Sequence, residues 1–331
     1  MALRLLPNPP PALMDLGRRA GRAYQRSGLQ SIVRHTPLGR LLPGPLGSME
    51  ALLTSLPDKA LLDSVPEVVP PEGPRRRRVV FFWNCVMNVM LPEASQAAIR
   101  VLARAGCEVV VPRDLGCCGA LHFDQGDAAM GRRLARRNVD RLIALNADAI
   151  VTDAAACGAQ TKEYAELMEH EPDYVDKARD VSARVRDITQ ILAELVPDGP
   201  SLGPVPERVT YHEACHLAHG QKITKPPRDL LRLIPELEFV ELPESNWCCG
   251  SAGIYNVSHA ATADELLDRK LDHLERTRAR YVVTTNPGCL VQLMKGVRER
   301  GLEVQVMHLV ELLDRSYAAA AAPAGAAPAR Q

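Results

Sequence analysis

The sequence predicts an α/β protein made of two tandem copies of one domain. Each copy is a small parallel sheet flanked by helices, and a helical, proline-rich segment precedes the pair. Three observations carry this expectation. Eight of the nine cysteines obey one translation along the chain. Cys85, Cys117, Cys118 and Cys157 recur as Cys215, Cys248, Cys249 and Cys289, displaced by 130 to 132 residues. In both copies β-rich runs alternate with helical patterns, the mark of a parallel sheet covered on its faces. Each β-rich run also ends shortly before a cysteine, so the cysteines fall at the carboxyl ends of strands, where open α/β sheets bind ligands.

Taken in order, residues 1–78 form a basic connector and linker. They hold twelve Arg or Lys against six Asp or Glu and no cysteine. Pro11–Tyr24 and Ser48–Ser64 look helical. Val65–Pro74, with four prolines, is expected to be extended. Arg18, Arg19, Arg22 and Arg26 fall on one helix face. That face is either solvated or meets an acidic partner or anionic lipid. Residues 79–200 are the first repeat and 201–317 the second, divided at the Pro/Gly-rich stretch Pro197–Pro206. Strands are expected at 79–83 and 208–212, at 107–112 and 238–243, and at 148–153 and 280–285. Helical periodicity marks Glu93–Ala105, Ala128–Asn146 and Ala261–Arg276. MHLVELLD (307–314) is expected to be a closing helix. The alanine-rich tail, 318–331, offers little to bury and is expected to be disordered.

Composition excludes several classes. Forty basic and forty acidic residues cancel, and aromatics are only 4%. Neither a basic field nor stacking platforms for nucleic acid are expected. No run reaches the ~18 apolar residues of a membrane span. The first residues, broken by prolines, do not form a signal peptide, so a cytoplasmic protein with reduced thiols is expected, with peripheral contact at the inner membrane face as an option. Nine cysteines in such a protein point to metal ligation or catalysis rather than disulfides.

Soft thiolates select zinc, copper(I) or iron–sulfur clusters. Vicinal cysteines diverge and are awkward around one tetrahedral ion, yet they reach different irons of a larger cluster. Structural zinc sites favour knuckles in which a few residues separate two cysteines, and none occurs here. Iron–sulfur ligation is therefore favoured, with zinc as the alternative. Gly119 and Gly250, each following a cysteine pair, let the backbone turn tightly and bring its amides toward sulfur. Cys107 has no counterpart in the second repeat, where Leu237 or Glu238 stands, and is expected to be a packed hydrophobe. His212, His216 and His219 crowd one station of the second repeat. Each is a candidate extra ligand or a hydrogen-bonded residue. No dinucleotide fingerprint and no phosphate-binding loop occurs.

The spacing C-x₃₁-CCG-x₃₇-C followed by C-x₃₂-CCG-x₃₈-C resembles the cysteine-rich CCG domain. That domain occurs in heterodisulfide reductase, in lactate-utilisation proteins and in the iron–sulfur subunit of glycolate oxidase. GCCGALHFDQGD (116–127), ACGAQTKEY (156–164), HLAHGQK (216–222), WCCGSAGIYNV (247–257) and VTTNPGC (283–289) look most like the last of these. The resemblance covers residues 79–316. It implies one or two clusters, [4Fe-4S] in type, held by the eight repeated cysteines. It also implies an FAD-containing dehydrogenase partner, glycolate or lactate as substrate of the complex, and a quinone or other electron acceptor. The family's closing C-x-x-C has Ala154 and Asn286 at its first position here, so the five-cysteine non-cubane cluster lacks a ligand. Full-length glycolate oxidase subunits begin with a ferredoxin domain that this sequence does not show. The resemblance therefore implies a truncated chain or a separate ferredoxin-type partner. Two other readings stand beside this one. One is a redox-inert module, zinc-bearing or metal-free, that assembles such a complex. The other is a heterodisulfide-reductase-like catalyst.

Overall fold

The structure is a computed structural model that describes residues 11–37, 42 and 44–321. The first sheet contains β1 (Val68–Val69), β2 (Arg77–Phe81), β3 (Cys107–Val110), β4 (Ala149–Thr152) and β5 (Val185–Asp187), in the order β1-β3-β2-β4-β5. The second contains β6 (Arg208–Tyr211), β7 (Glu238–Glu241), β8 (Tyr281–Thr284) and β9 (Gln305–His308), in the order β7-β6-β8-β9. Without the antiparallel edge strand β1, the two sheets have the same order and are parallel throughout. The expected α/β duplication is thus present, and β1 shows that the proline-rich linker is pinned along the first sheet.

Register repeats as well. Arg78 stands opposite Glu108, and Arg208 opposite Glu238; each couple forms an ion pair. This alignment puts Leu237 in the place of Cys107, which is fully buried among apolar side chains. Val79, Val80, Phe81, Val109, Ile150 and Val151 form continuous apolar runs in the centre, as strands covered on both faces require.

Sequence patterning missed the fourth strand of each repeat. β5 lies between helix Val175–Arg184 and helix Ile188–Leu195 with no turn residue at either side. Met307 and His308, expected at the start of the closing helix, belong to β9, and the helix runs Leu309–Ala321. Residues 318–321 of the expected disordered tail are therefore helical, and 322–331 lie outside the described residues. Both fourth strands end on the same cap. Asp187 Oδ1 accepts from Thr189 N at 2.9 Å while Gln190 Oε1 accepts from Asp187 N at 3.2 Å. His308 Nδ1 accepts from Val310 N at 3.2 Å while Glu311 Oε2 accepts from His308 N at 2.7 Å. This is a capping box, which satisfies two otherwise unpaired donors of the helix start.

The repeats share their last helices. Helix Leu309–Ala321 of the second packs on helix Pro92–Arg104 of the first, where Asp314 bonds Arg100 at 2.6 Å and Arg104 at 3.1 Å. Helix Ile188–Leu195 of the first packs on helix Lys225–Leu233 of the second. The exchange is reciprocal, so the two sheets form one body with an approximate two-fold relation.

In the connector, helices Pro11–Arg26, Leu29–His35 and Gly44–Ala51 are present. The helix expected to reach Ser64 stops at Ala51 and yields an extended stretch. The basic face explains why. Arg18, only 5% exposed, donates to Pro57 O at 2.7 Å and Asp58 O at 2.6 Å, and Arg22 donates to Leu56 O at 2.5 Å. Two of the four arginines thus hold a neighbouring loop whose carbonyls must stay out of a helix. Arg19 and Arg26 remain exposed.

His308 Nδ1 accepts in its cap, so Nε2 carries the proton and donates to Asp153 O across the repeats at 2.8 Å. Burial holds the His308 pKa down to about 4. Asp153 is fully buried; Ser95 Oγ donates to its Oδ2 at 2.5 Å, and its Oδ1 has no partner among the described residues. Burial raises the Asp153 pKa to about 7. The unfolded value is about 3.9. The carboxyl therefore contributes stability that is complete below pH ~4 and lost as pH rises through about 7. The melting-temperature difference between Asp153→Asn and the parent should accordingly grow in favour of Asn from pH 4 to pH 7, by thermal melts under anaerobic conditions. A constant difference would contradict the burial argument.

Candidate metal centres

Each set of four cysteines is delivered by three loops at the carboxyl edge of its sheet. At the first station, Asn84 caps helix Cys85–Met90 by accepting from Val86 N at 2.8 Å and Met87 N at 2.9 Å, which places Cys85 in the first turn. At the third station, Cys157 lies in the first turn of helix Ala155–Lys162 and Cys289 in that of helix Pro287–Arg300. Helix N-termini favour thiolate over thiol.

The middle station is a tight turn. Gly119 has φ +95° and Gly250 φ +91°, a left-handed conformation that glycine adopts without a Cβ penalty. The turn aims the glycine amide back at sulfur. Gly119 N donates to Cys117 Sγ at 3.4 Å and Gly250 N to Cys248 Sγ at 3.3 Å. The two turns thus share one geometry.

Cys118 Sγ donates to Cys157 Sγ at 3.3 Å, and Cys85 is hydrogen-bonded to Cys117. None of the nine cysteines forms a disulfide. Such crowded thiols, two of them buried in each box, cannot all ionise together. The Cys117 thiol is held well below its ordinary pKa by hydrogen bonds from Cys118, Cys85 and the Gly119 amide. Cys85 and Cys118 are pushed up, each chiefly by its bond to Cys117. The second box repeats the split. Cys248 is lowered by hydrogen bonds from Cys215 and Cys249, while Cys215 and Cys249 are raised, first by Cys248. Cys289 is lowered mainly by Cys249, with the nearby His212 ring adding to the effect. A bound cation removes this conflict by replacing the shared protons. The donor sets thus suit thiolate-bound metal.

Two asparagines finish the boxes from non-equivalent positions. Asn84 Nδ2 donates to Cys157 Sγ at 2.9 Å, and Asn286 Nδ2 donates to Cys289 Sγ at 3.6 Å. Asn286 occupies the position where the family motif has a further cysteine. Its Oδ1 also accepts from Ala156 N of the first repeat at 3.0 Å. Ala155 N donates to Thr285 O at 3.0 Å, and Ala155 packs in one apolar cluster with Cys249 and Cys289. The boxes therefore adjoin, and one peptide plus one amide side chain separates Cys157 from Cys289.

Sequence reasoning missed the residues that hold the turns. Buried Asn138 accepts from Gly116 N at 3.0 Å and donates to Cys117 O at 2.9 Å; Tyr164 OH donates to Cys118 O at 2.8 Å. The matching residue in the second repeat is Lys270, only 1% exposed, which donates to Glu244 O and to Ser245 O at 3.3 Å. Burial lowers its pKa to about 8. A polar residue on the apolar stripe of each helix was the available signal. Of the three histidines, His216 Nδ1 lies 3.7 Å from Cys215 Sγ, and His219 is exposed with Nε2 3.4 Å from Asn246 O. Only His212 stands beside the buried thiols.

Two parallel-sheet repeats, each with a doubled cysteine before glycine at its middle loop, define a class of proteins. The cysteine-rich CCG domain family matches residues 79–162 and 209–294, and the chain belongs to it. Residues 1–53 match the linker region of the glycolate oxidase iron–sulfur subunit. The chain is 38% identical over 293 residues to a probable glycolate oxidase iron–sulfur subunit of Bacillus subtilis, covering 88% of this chain and 66% of that one. It is 30% identical over 318 residues to the glycolate oxidase iron–sulfur subunit of Escherichia coli, covering 92% of this chain and 76% of that one. Lactate utilization protein A of Geobacillus thermodenitrificans is 28% identical over 237 residues, 72% of this chain and 98% of its own. Among the described residues no helix is long and apolar enough to cross a membrane.

A Cβ at position 250 would run into the Ala263 carbonyl, whereas at position 119 the nearest atom, Gly131 O, is 3.3 Å away. Left-handed strain alone costs on the order of 1–3 kcal/mol. Gly250→Ala should therefore destabilise the protein by more than that range, and Gly119→Ala by an amount within it. Denaturant titration of the two variants checks the order; equal losses would contradict it.

Proposed function

We propose that this chain is the iron–sulfur electron-transfer subunit of a flavin-dependent 2-hydroxy-acid dehydrogenase acting on glycolate or lactate. The observation that carries the reading is the doubled box: two sets of four cysteines at two sheet edges, with backbone and asparagine amides donating to sulfur. Cys85, Cys117, Cys118 and Cys157 would hold one cluster, and Cys215, Cys248, Cys249 and Cys289 a second, in units spanning 79–200 and 201–317. Clusters of the [4Fe-4S] type supply one-electron steps at potentials tuned by such hydrogen bonds. An FAD-bearing partner would take the hydride, and the chain's own residues would hold the centres close, exclude water and pass electrons on to a quinone or a ferredoxin-type acceptor. The Asn286 contact supports transfer between boxes. A cytoplasmic setting, where thiols are kept reduced, suits thiolate ligation.

Anaerobic iron and sulfide quantification with EPR spectroscopy tests the reading. Iron and sulfide in matching amounts are expected, whereas zinc without sulfide would overturn it. Cys248→Ser should strip iron from the second box and leave the first loaded. Cys107→Ser should keep all iron and cost about 1–3 kcal/mol for a buried hydroxyl, read by denaturant titration beside iron content. Equal iron loss from both variants would refute the ligand assignment.

A further inference from the structure

The two boxes follow one plan but do not present the same side chains. β2 and β6 end on the same backbone bond: Phe82 N donates to Val151 O at 2.8 Å, and His212 N donates to Val283 O at 2.9 Å. The side chain at that point is a phenyl ring in the first repeat and an imidazole in the second. Both are 1% exposed. Phe82 needs no polar partner. A buried imidazole does, since one nitrogen donates and the other accepts. Neither ring nitrogen of His212 has an oxygen or nitrogen hydrogen-bond partner among the described residues, and its one polar contact of that kind is with the Cys289 thiol. Sulfur lies beside it instead. A His212 ring nitrogen, Cys249 Sγ and Cys289 Sγ all lie within 4.8 Å of one another, and all three residues are buried.

We propose that His212 is a metal ligand of the second box, bound through a ring nitrogen on the buried side formed by Cys249 and Cys289. Imidazole and thiolate together suit iron and zinc. His216 and His219 do not compete, because one borders Cys215 and the other faces solvent. The inference rests on the iron–sulfur reading and adds that the two centres differ in kind. The first is held by thiolates alone, the second by thiolates and an imidazole. Five candidate ligands stand around four irons, so one thiolate of the second box is left off the cluster, and a neutral imidazole in its place raises the reduction potential. The second box is then the higher-potential one, and electrons collect there.

The full chain, reconstituted anaerobically with iron and sulfide and partly reduced, is examined by pulsed EPR with nitrogen-isotope-labelled histidine. A strong histidine-nitrogen coupling is expected from one centre. His212→Phe, which copies the first repeat, should abolish it. His212→Cys should keep the iron count, lose the coupling and lower the midpoint potential of one centre only; because it restores a ligand, it guards against a variant that merely misfolds. An iron-loaded parent chain without the coupling, or a coupling that persists in both variants, overturns the proposal and leaves the iron–sulfur reading standing. A parent chain that takes up no iron overturns that reading instead. His212 is then read on the cobalt(II)-loaded chain, whose visible spectrum should change in His212→Phe; an unchanged spectrum overturns the ligand assignment there too.

Discussion

Crowding of thiols at the edge of a sheet is the constraint on which the rest of this structure depends. Four sulfurs held at close range, two of them buried, oppose one another's ionisation, and only outside support keeps them together. Here the support is backbone geometry. Three loops converge because three parallel strands end side by side, and the glycine turn lets an amide face sulfur from within the same loop. Helix starts at the first and third stations add partial positive charge where negative charge gathers. The sheet is the part of the fold that fixes which loops meet, and its apolar interior keeps those loops from moving apart.

Pairing of the repeats makes a second contribution. Each repeat lends its last helix to the other, so neither carboxyl edge is assembled independently of its twin. The contact runs through the sites themselves. Asn286 joins the peptide after Ala155 to the sulfur of Cys289, and His308 of the second repeat holds the backbone of Asp153 four residues before Cys157. Duplication of a single domain thereby brings two cysteine boxes side by side. The same duplication leaves room for divergence, seen where His212 takes the position of Phe82 and Lys270 that of Asn138.

Much of this was legible without coordinates because covalent repetition survives in one dimension. The shared cysteine offset set aside Cys107 and marked the other eight, and the doubled CCG turns placed Gly119 and Gly250 at left-handed positions. β5 and β9 escaped notice because each runs straight into the following helix with no turn residue between, and β5 is only three residues long. The arginine face of the first helix showed its period but not its target, since the carbonyls of Leu56, Pro57 and Asp58 reach it only after the chain doubles back.

The sequence by itself determined the duplication, the strand-end stations and the set of thiols, because each depends on spacing along the chain and on local turn chemistry. Tertiary structure alone decided which repeat's helix covers which sheet, that the boxes adjoin, and which of three clustered histidines turns toward the buried sulfurs. Those outcomes depend on packing between segments more than a hundred residues apart in the case of Asp153 and His308, and no local pattern encodes the direction in which a side chain points once two sheets have closed on one another.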